Sequence, residues 1–521
     1  MSKKHYSTTL FFILFLTVAT ALVLSQNAEP EILAEVETSA PVSLSASPLD
    51  NNNCRAGASG PVNAFPWAET MGLGWVSTYG VEGIAAEKNY MPMVRLKGNG
   101  DFTDYTITPD LATIESLASQ HPGRLWQVGN EPDIRGQDRL TPALYARAYG
   151  EVHEAIKRGD PTALVANGPT ALLTPSRLQY WDLVWEAYQQ IYGSTIPIDV
   201  WSSHLYIFAE GPDGVAIGTD SGLHIEPYLG DPAACTNPSD NSLCIAEHDS
   251  AIVFEKHLRD FRQWMKAHGQ QDKPLIITEW SVLWPYVIDN PGTPQESCFV
   301  TDELGGCFTP SRVNNYMSNT IAVMNETDPA IGNPNDNNRL VQKYMWFSFY
   351  VDPEYSGGGG SSSLLKTGYQ EEASGDIAAL SPMGWNFKNL STAPGVLKEN
   401  LHITGEPIVP VVTQSGTASA EIRVRFNNNG SLNTQIPFAV GFYRDAALTD
   451  LIGTVNVSTA EGCGLREYEA TLIWNNLSLG EHKYWAKVDI GGAISETSVT
   501  DNVVEGTVFI GTHQVFLPVV R

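Results

Sequence analysis

Glu131 and Glu279 each stand directly after a short apolar run. Leu125-Trp126-Gln127-Val128 leads into Gly129-Asn130-Glu131-Pro132-Asp133, and Leu275-Ile276-Ile277 leads into Thr278-Glu279-Trp280. Bounded apolar runs of this length read as buried strands, so both carboxylates are expected at strand ends. Two carboxyl groups facing each other across a cleft suit the hydrolysis of a glycosidic bond. The glycosidic oxygen is a poor leaving group and must be protonated as the bond breaks. A carboxyl holds that proton near neutral pH only if burial or a nearby negative charge raises its pKa. The second carboxylate stabilises or captures the oxocarbenium-like carbon. At a separation of about 5–5.5 Å it attacks directly, and the anomeric configuration is retained. Other chemistries lack their residues: there is no His-Glu-x-x-His helix, no phosphate loop and no Gly-x-Ser-x-Gly turn. No cofactor or metal is expected.

The elements around these peptides alternate. Strand signals fall at 74–79, at Met91-Pro92-Met93-Val94-Arg95-Leu96, at 125–129, 164–166, 198–204, 274–278 and 344–350. Helices are expected from Thr108-Pro109-Asp110, from Thr141-Pro142 to Arg158, over 177–192, 250–268 and 312–325, and over 380–390 behind Ser381-Pro382. Strand–helix alternation implies a parallel sheet with helices outside. Charged residues just after strands favour a closed (β/α)8 TIM barrel over residues 61–400, whose strand ends carry the site. The glutamates are 279 − 131 = 148 residues apart, which suits the ends of the fourth and seventh strands. Only 131 − 74 = 57 residues separate Gly74 from Glu131, so the first half of the barrel is expected to be irregular.

The flanks differ in texture. Lys3 and Lys4 precede an apolar run from Thr9 to Leu24, which reads as a signal peptide over 1–25 cut after Ser25, with an uncleaved anchor as the alternative. The protein is accordingly expected to be secreted or held at the cell surface. Residues 26–60 are rich in Ala, Ser, Pro, Glu and Asn and read as a disordered tether. From 405 to 521 short alternating runs such as Ala420-Glu421-Ile422-Arg423-Val424-Arg425-Phe426 imply an all-β, immunoglobulin-like sandwich. That module resembles bacterial adhesion modules, and either contacts cell-wall glycan or spaces and stabilises. The net charge of −27 leaves no basic patch for phosphates, which excludes nucleic acid as a partner. In an exported chain the local pairs Cys235/Cys244 and Cys298/Cys307 read as disulfides closing two insertions, at 209–245 and 285–311. Cys54 and Cys463 are either free or paired with each other.

Asn130-Glu131-Pro132 and Thr278-Glu279-Trp280 together resemble glycoside hydrolase clan A, the retaining barrel glycosidases. The resemblance covers roughly residues 70–390. With Asn-Glu-Pro-Asp behind a Met91-Pro92-Met93 strand, it is nearest in motif to glycoside hydrolase family 128, whose members act on β-1,3-glucans. It implies that Glu131 is the acid/base and Glu279 the nucleophile, and that Asn130 binds the sugar 2-hydroxyl. It also implies that His204 and Tyr206 line the cleft and that Trp346 floors it, while Arg95 pairs with Glu279 to keep it ionised. Trp284 is a further sugar contact on this reading, and Asp133 supports the rim. The implied substrate is a β-linked polysaccharide or oligosaccharide. The competing readings are a non-catalytic glycan-binding surface protein on the same barrel and a purely structural surface protein. The pair of glutamates argues against the first of these, because binding alone does not require both.

Overall fold

The apolar runs form parallel strands because each is buried on both faces, which leaves little room for polar side chains along them. The computed structural model describes residues 47–208, 243–284, 300–351, 362–366, 374–405, 407, 411–413 and 418–511. The expected signal peptide, most of both insertions, Cys235 and Cys298 lie outside these. Cys244 and Cys307 are both disulfide-bonded.

In chain order the first part contains β1 (Asn53–Ser59), α1 (Pro66–Met71), β2 (Leu73–Ser77), β3 (Tyr90–Met91), β4 (Met93–Gly98), β5 (Tyr105–Thr108), α2 (Leu111–Gln120) and β6 (Leu125–Val128). Then follow α3 (Pro142–Gly159), β7 (Leu164–Asn167), α4 (Pro175–Tyr192), β8 (Trp201–His204), α5 (Ala251–Ala267), β9 (Leu275–Trp280), α6 (Pro310–Met324), β10 (Lys343–Trp346) and α7 (Pro382–Ser391). A parallel six-stranded sheet runs β3-β2-β1-β10-β9-β8, and a four-stranded sheet runs β5-β4-β6-β7 with only β5 antiparallel. The sheets meet at two seams. Tyr90 to Gly98 is one run interrupted by Pro92, so that β3 pairs with β2 and β4 with β6. At the other seam Ala166 bridges to Val200, and Asp199 N–H donates to Val165 C=O at 3.0 Å. Trp75, Met91, Ala166, Val200, Ile276 and Met345 form one apolar cluster between the strands, while the helices pack on their other faces. The arrangement is TIM-like.

Helix starts follow the capping chemistry read from the sequence. Thr141, Thr309 and Ser381 each precede a proline and cap the next helix through a side-chain oxygen. One expectation is corrected: Thr108 ends β5, and Asp110 is the cap of α2, accepting from the N–H groups of Ala112 and Thr113 at 3.1 Å each. A second correction concerns the tether. Its described end is ordered, with a 3-10 turn at Pro48–Asn51 and then β1, the strand that had been missing from the first half. Asn-Cys-Arg-Ala-Gly-Ala-Ser lacks β-branched residues, yet all seven are buried, because small side chains fit where Gly57 must clear the ring of Trp75.

The C-terminal part contains β11 (Leu401–Ile403), β12 (Val411–Thr413), β13 (Ala418–Asn428), β14 (Phe438–Tyr443), β15 (Leu451–Val457), β16 (Tyr468–Leu477), β17 (Gly480–Lys487) and β18 (Val503–Gly511). They form two separate sheets, β11-β13-β16 and β12-β18-β17-β14-β15, antiparallel except for the β12–β18 pair. Both sheets contribute to one core, which includes Ile422, Val424, Phe442, Tyr484 and Val508. This part closes the N-terminal end of the parallel strands. Cys54 and Cys463 are paired, across 409 residues. Leu465 packs on the inter-strand cluster beside Leu125 and Leu164, and Arg466 donates to the carbonyls of Thr162 and Gly123.

Candidate active site

At the opposite, C-terminal ends of the strands lies a cleft of about 620 Å3. Glu131 reaches it from a tight turn after β6. Gly129 has φ +95° and Glu131 has φ +45°, a left-handed conformation that a side-chain-bearing residue adopts only when its surroundings hold it there. Glu131 N–H donates to Pro169 C=O at 2.9 Å, and Asn130 N–H donates to Asp138 Oδ2 at 2.6 Å. Asp138 also accepts from Leu96 N–H at 3.2 Å and from Arg95 Nη2 at 2.8 Å, which ties β4, the turn and the rim together. Asp133 supports the rim by a fully buried pair with Arg177, at 2.7 Å.

Glu279 reaches the cleft through a β-bulge. Along β9, Leu275 and Ile277 face the helices and Ile276 faces the inter-strand cluster. Strict alternation would send Glu279 towards the helices. The register slips against both neighbours: Ser203 opposes Ile277 but His204 opposes Glu279, and Tyr344 opposes Ile277 but Trp346 opposes Trp280. The extra residue turns Glu279 into the cleft and gives the helix side to Trp280, a re-aiming for which bulges beside active sites are known.

His204 stands between the two carboxylates. Its Nδ1 hydrogen-bonds Glu131 Oε1 at 2.9 Å, while its buried Nε2 lies 3.5 Å from Glu279 Oε1 and has no hydrogen-bond partner among the described residues. Tyr206 Oη donates to Glu279 Oε2 at 3.0 Å. One carboxylate oxygen of each glutamate and an imidazole nitrogen lie within 4.8 Å of one another, the one grouping among the described residues compact enough for a metal ion. The Glu131 hydrogen bond engages Nδ1, and the proximity of the three groups couples their titrations. Burial raises Glu279 to about 7; the positive charge of His204 and the Tyr206 hydrogen bond oppose that rise, and Glu131 adds to it. Burial disfavours the His204 imidazolium, but Glu279 and Glu131 outweigh it and hold the pKa above the ordinary histidine value. Tyr206→Phe removes a hydrogen bond to a charged group that is worth about 1.5–3 kcal/mol. A loss of about tenfold or more in kcat is expected, with an unchanged fold by circular dichroism.

Asn130, Arg95, Glu131, Tyr206 and Glu279 all line the cleft, and His204 stands between the glutamates. Three expected roles are corrected. Arg95 pairs with Asp138, at 2.8 Å, because β4 lies beside the turn that carries Asp138. Trp346 is fully buried, edge-on to Trp280 at 4.9 Å and beside Phe387 of α7, with its Nε1 donating to Ser362 C=O at 2.7 Å. It occupies the helix-facing phase of β10, and the next residue, Phe347, lines the cleft instead. Trp284 packs tilted against His248, with ring centroids 4.1 Å apart, meets Phe208 edge-on, and is absent from the described cleft wall. Sequence reasoning missed Tyr79, Phe347, Phe208 and Gln137. The rule that found Glu131 applies to the first two as well, because each closely follows a parallel strand. Gln137 Oε1 accepts from Arg95 Nη2 at 3.2 Å and from Asn130 Nδ2 at 3.4 Å, and no local pattern marks it.

No protein-family profile and no curated protein matches the chain. Solved structures do. An endo-β-1,3-glucanase of glycoside hydrolase family 128, subgroup II, from Sorangium cellulosum is similar over 66% of this chain and 99% of its own, at 17% identity and a TM-score of 0.37. A subgroup I endo-β-1,3-glucanase from Amycolatopsis mediterranei, in complex with laminarihexaose, covers 64% of this chain and 98% of its own, at 14% identity and 0.37. A curdlan-specific exo-β-1,3-glucanase of subgroup III from Blastomyces gilchristii, in complex with glucose, covers 64% and 97%, at 14% and 0.37.

Proposed function

We propose that this protein is a secreted retaining glycoside hydrolase that cleaves a β-linked polysaccharide, with β-1,3-glucan as the first candidate. The observation that carries the reading is the approach of Glu131 and Glu279 in one cleft, with oxygens of the two carboxylates within 4.8 Å of each other. Groups this close leave no room for a water molecule between an inverting pair, and suit direct attack. The eight parallel runs, with β3 and β4 counted as one, are read as a closed (β/α)8 barrel, and the two C-terminal sheets as an immunoglobulin-like sandwich. Export rests on the N-terminal sequence alone, and β-1,3-glucan on the motif.

The mechanism has two displacements. Glu131 gives its proton to the glycosidic oxygen while Glu279 attacks the anomeric carbon, which forms a glycosyl ester and releases the first product. Glu131, now a carboxylate, takes a proton from water. That water attacks the same carbon, the ester bond breaks, and both glutamates return to their starting states. Tyr206 fixes the plane of the Glu279 carboxylate, and His204 couples the protonation of the two. Asn130 is placed to meet the 2-hydroxyl, its buried Oδ1 having no protein partner among the described residues.

The test is a glycan panel with product stereochemistry followed by NMR. The β anomer is expected first from a β-linked substrate, and initial α product would rule out direct attack. If wild type cleaves nothing and Glu131→Gln and Glu279→Gln bind glycan equally well, the protein is a non-catalytic glycan binder.

A further inference from the structure

We propose that a second chamber beside the cleft is an additional sugar subsite, in which Glu82 accepts hydrogen bonds from the hydroxyls of a neutral pyranose. The chamber measures about 340 Å3 and shares Tyr79, Phe347 and Val351 with the cleft, so one wall separates the two. That wall is aromatic. Tyr79 and Phe347 meet at 6.3 Å with their planes 62° apart, and Tyr79 is 37% exposed. Rings set at this angle present different faces to the two sides, and the apolar C–H face of a pyranose packs on such surfaces.

Beyond the wall the lining adds Gly60, Pro61, Thr78, Ser348 and Tyr350, and Glu82 is its one charged group among the described residues. A carboxylate is an acceptor only, and its two oxygens can take two neighbouring hydroxyls in charge-assisted bonds. Glu82 is exposed, and Gly80, which carries no Cβ, leaves room beside its Oε2. Among the described residues no Lys or Arg lines the chamber, so a sugar carrying a carboxylate or sulfate would meet Glu82 without a compensating cation there. An aromatic wall with one carboxylate opposite selects an uncharged sugar. A glycan bound across the catalytic pair reaches the chamber only if it is long enough to pass Tyr79 and Phe347. Glu82 therefore sets how much longer chains gain over short ones.

The inference rests on the reading of the adjoining cleft as a glycan site. It is tested by calorimetric titration of β-1,3-glucan oligosaccharides of two to six units into Glu131→Gln protein, with and without Glu82→Ala. Glu82→Ala is expected to weaken the longest oligomer about tenfold and to leave the disaccharide unchanged. An oligomer oxidised at C6 to the carboxylate should bind worse than its neutral parent, and Glu82→Gln should narrow that gap. Equal affinity at every length with and without Glu82 overturns the subsite, as does a protein that binds no oligomer at all. Length-dependent binding that needs Glu82, in a wild type that cleaves nothing, overturns the hydrolase reading and leaves the subsite standing.

Discussion

Glu131→Gln is expected to lower kcat by about 10²–10⁴-fold on a substrate with a poor leaving group, because protonation of the glycosidic oxygen is lost. Glu279→Gln should cost at least as much, since without it no ester forms. Azide separates the roles. With Glu279→Gly a retaining enzyme should use azide in place of the carboxylate and give the α-glycosyl azide. With Glu131→Ala azide should intercept the ester and give the β-glycosyl azide. The reverse pattern would exchange the two roles. The pH dependence follows from burial. Glu279 attacks only as a carboxylate, and burial holds its pKa above the ordinary value. The acid limb of kcat/KM should therefore lie above the ordinary carboxylate range, with activity dropping about tenfold per pH unit below it.

The same group links stability to pH. Its folded value lies above the unfolded one, so the protonated form favours the fold. That contribution is present below the ordinary value of 4.5 and is lost as pH rises towards 7. Glu279→Gln should melt above wild type by a few degrees at pH 8 and level with it at pH 4. A wild type that melts higher than the variant at pH 8 would mean that His204 and Tyr206 more than offset the cost of burial.

The second large effect concerns the C-terminal sheets. A fragment ending at residue 400 is expected not to fold, because it leaves the N-terminal end of the parallel strands open. The interface is not one between loosely tethered modules. Arg55 in β1 is buried and holds Asp336 through two bonds of 3.0 Å, while donating to Asn429 C=O at 2.6 Å. Leu465 covers the inter-strand cluster, and the disulfide pins its loop to β1. A disulfide of this kind contributes about 2–5 kcal/mol. Truncation takes the Asn429 carbonyl from Arg55, which keeps Asp336, and a hydrogen bond to a charged group is worth about 1.5–3 kcal/mol. Together these reach the lower part of the whole stability of a typical domain, about 5–15 kcal/mol. Cys54→Ser with Cys463→Ser should lower Tm but leave a cooperative transition, and Leu465→Ala should add to the loss. A 47–400 fragment that is soluble and melts like the full chain would show that the sheets are dispensable.

Most strands of the first part were legible because parallel strands buried on both faces are written as continuous apolar runs, and helix starts because Thr-Pro and Ser-Pro are local signals. β1 was not, since its burial depends on small residues fitting a space that Trp75 defines. The site divides in the same way. Glu131, Glu279, Asn130, His204 and Tyr206 could be named from their places after strands. The direct partner of Arg95 was misread, because Asp138 reaches it only after the turn that follows β6 has folded back, although the Arg95 charge still lowers the pKa of Glu279. Trp346 and Phe347 were confused by a single residue, and one residue is a half-period of a strand, so the error moved the aromatic platform from the cleft to the helix side.

What the sequence determined by itself is the set of candidate groups: two glutamates placed at the ends of apolar strands, an asparagine before one, and a histidine at the end of a third strand with a tyrosine just past it. These are statements about neighbours in the chain, and strand ends are set by neighbours. Only the tertiary structure decided which way each side chain points and what closes the far end. Glu279 faces the cleft because a bulge in β9 slips its register against two flanking strands. The N-terminal end is closed because Cys463 meets Cys54 across 409 residues. Register and long-range closure depend on strands distant in sequence, and no run of local residues encodes them.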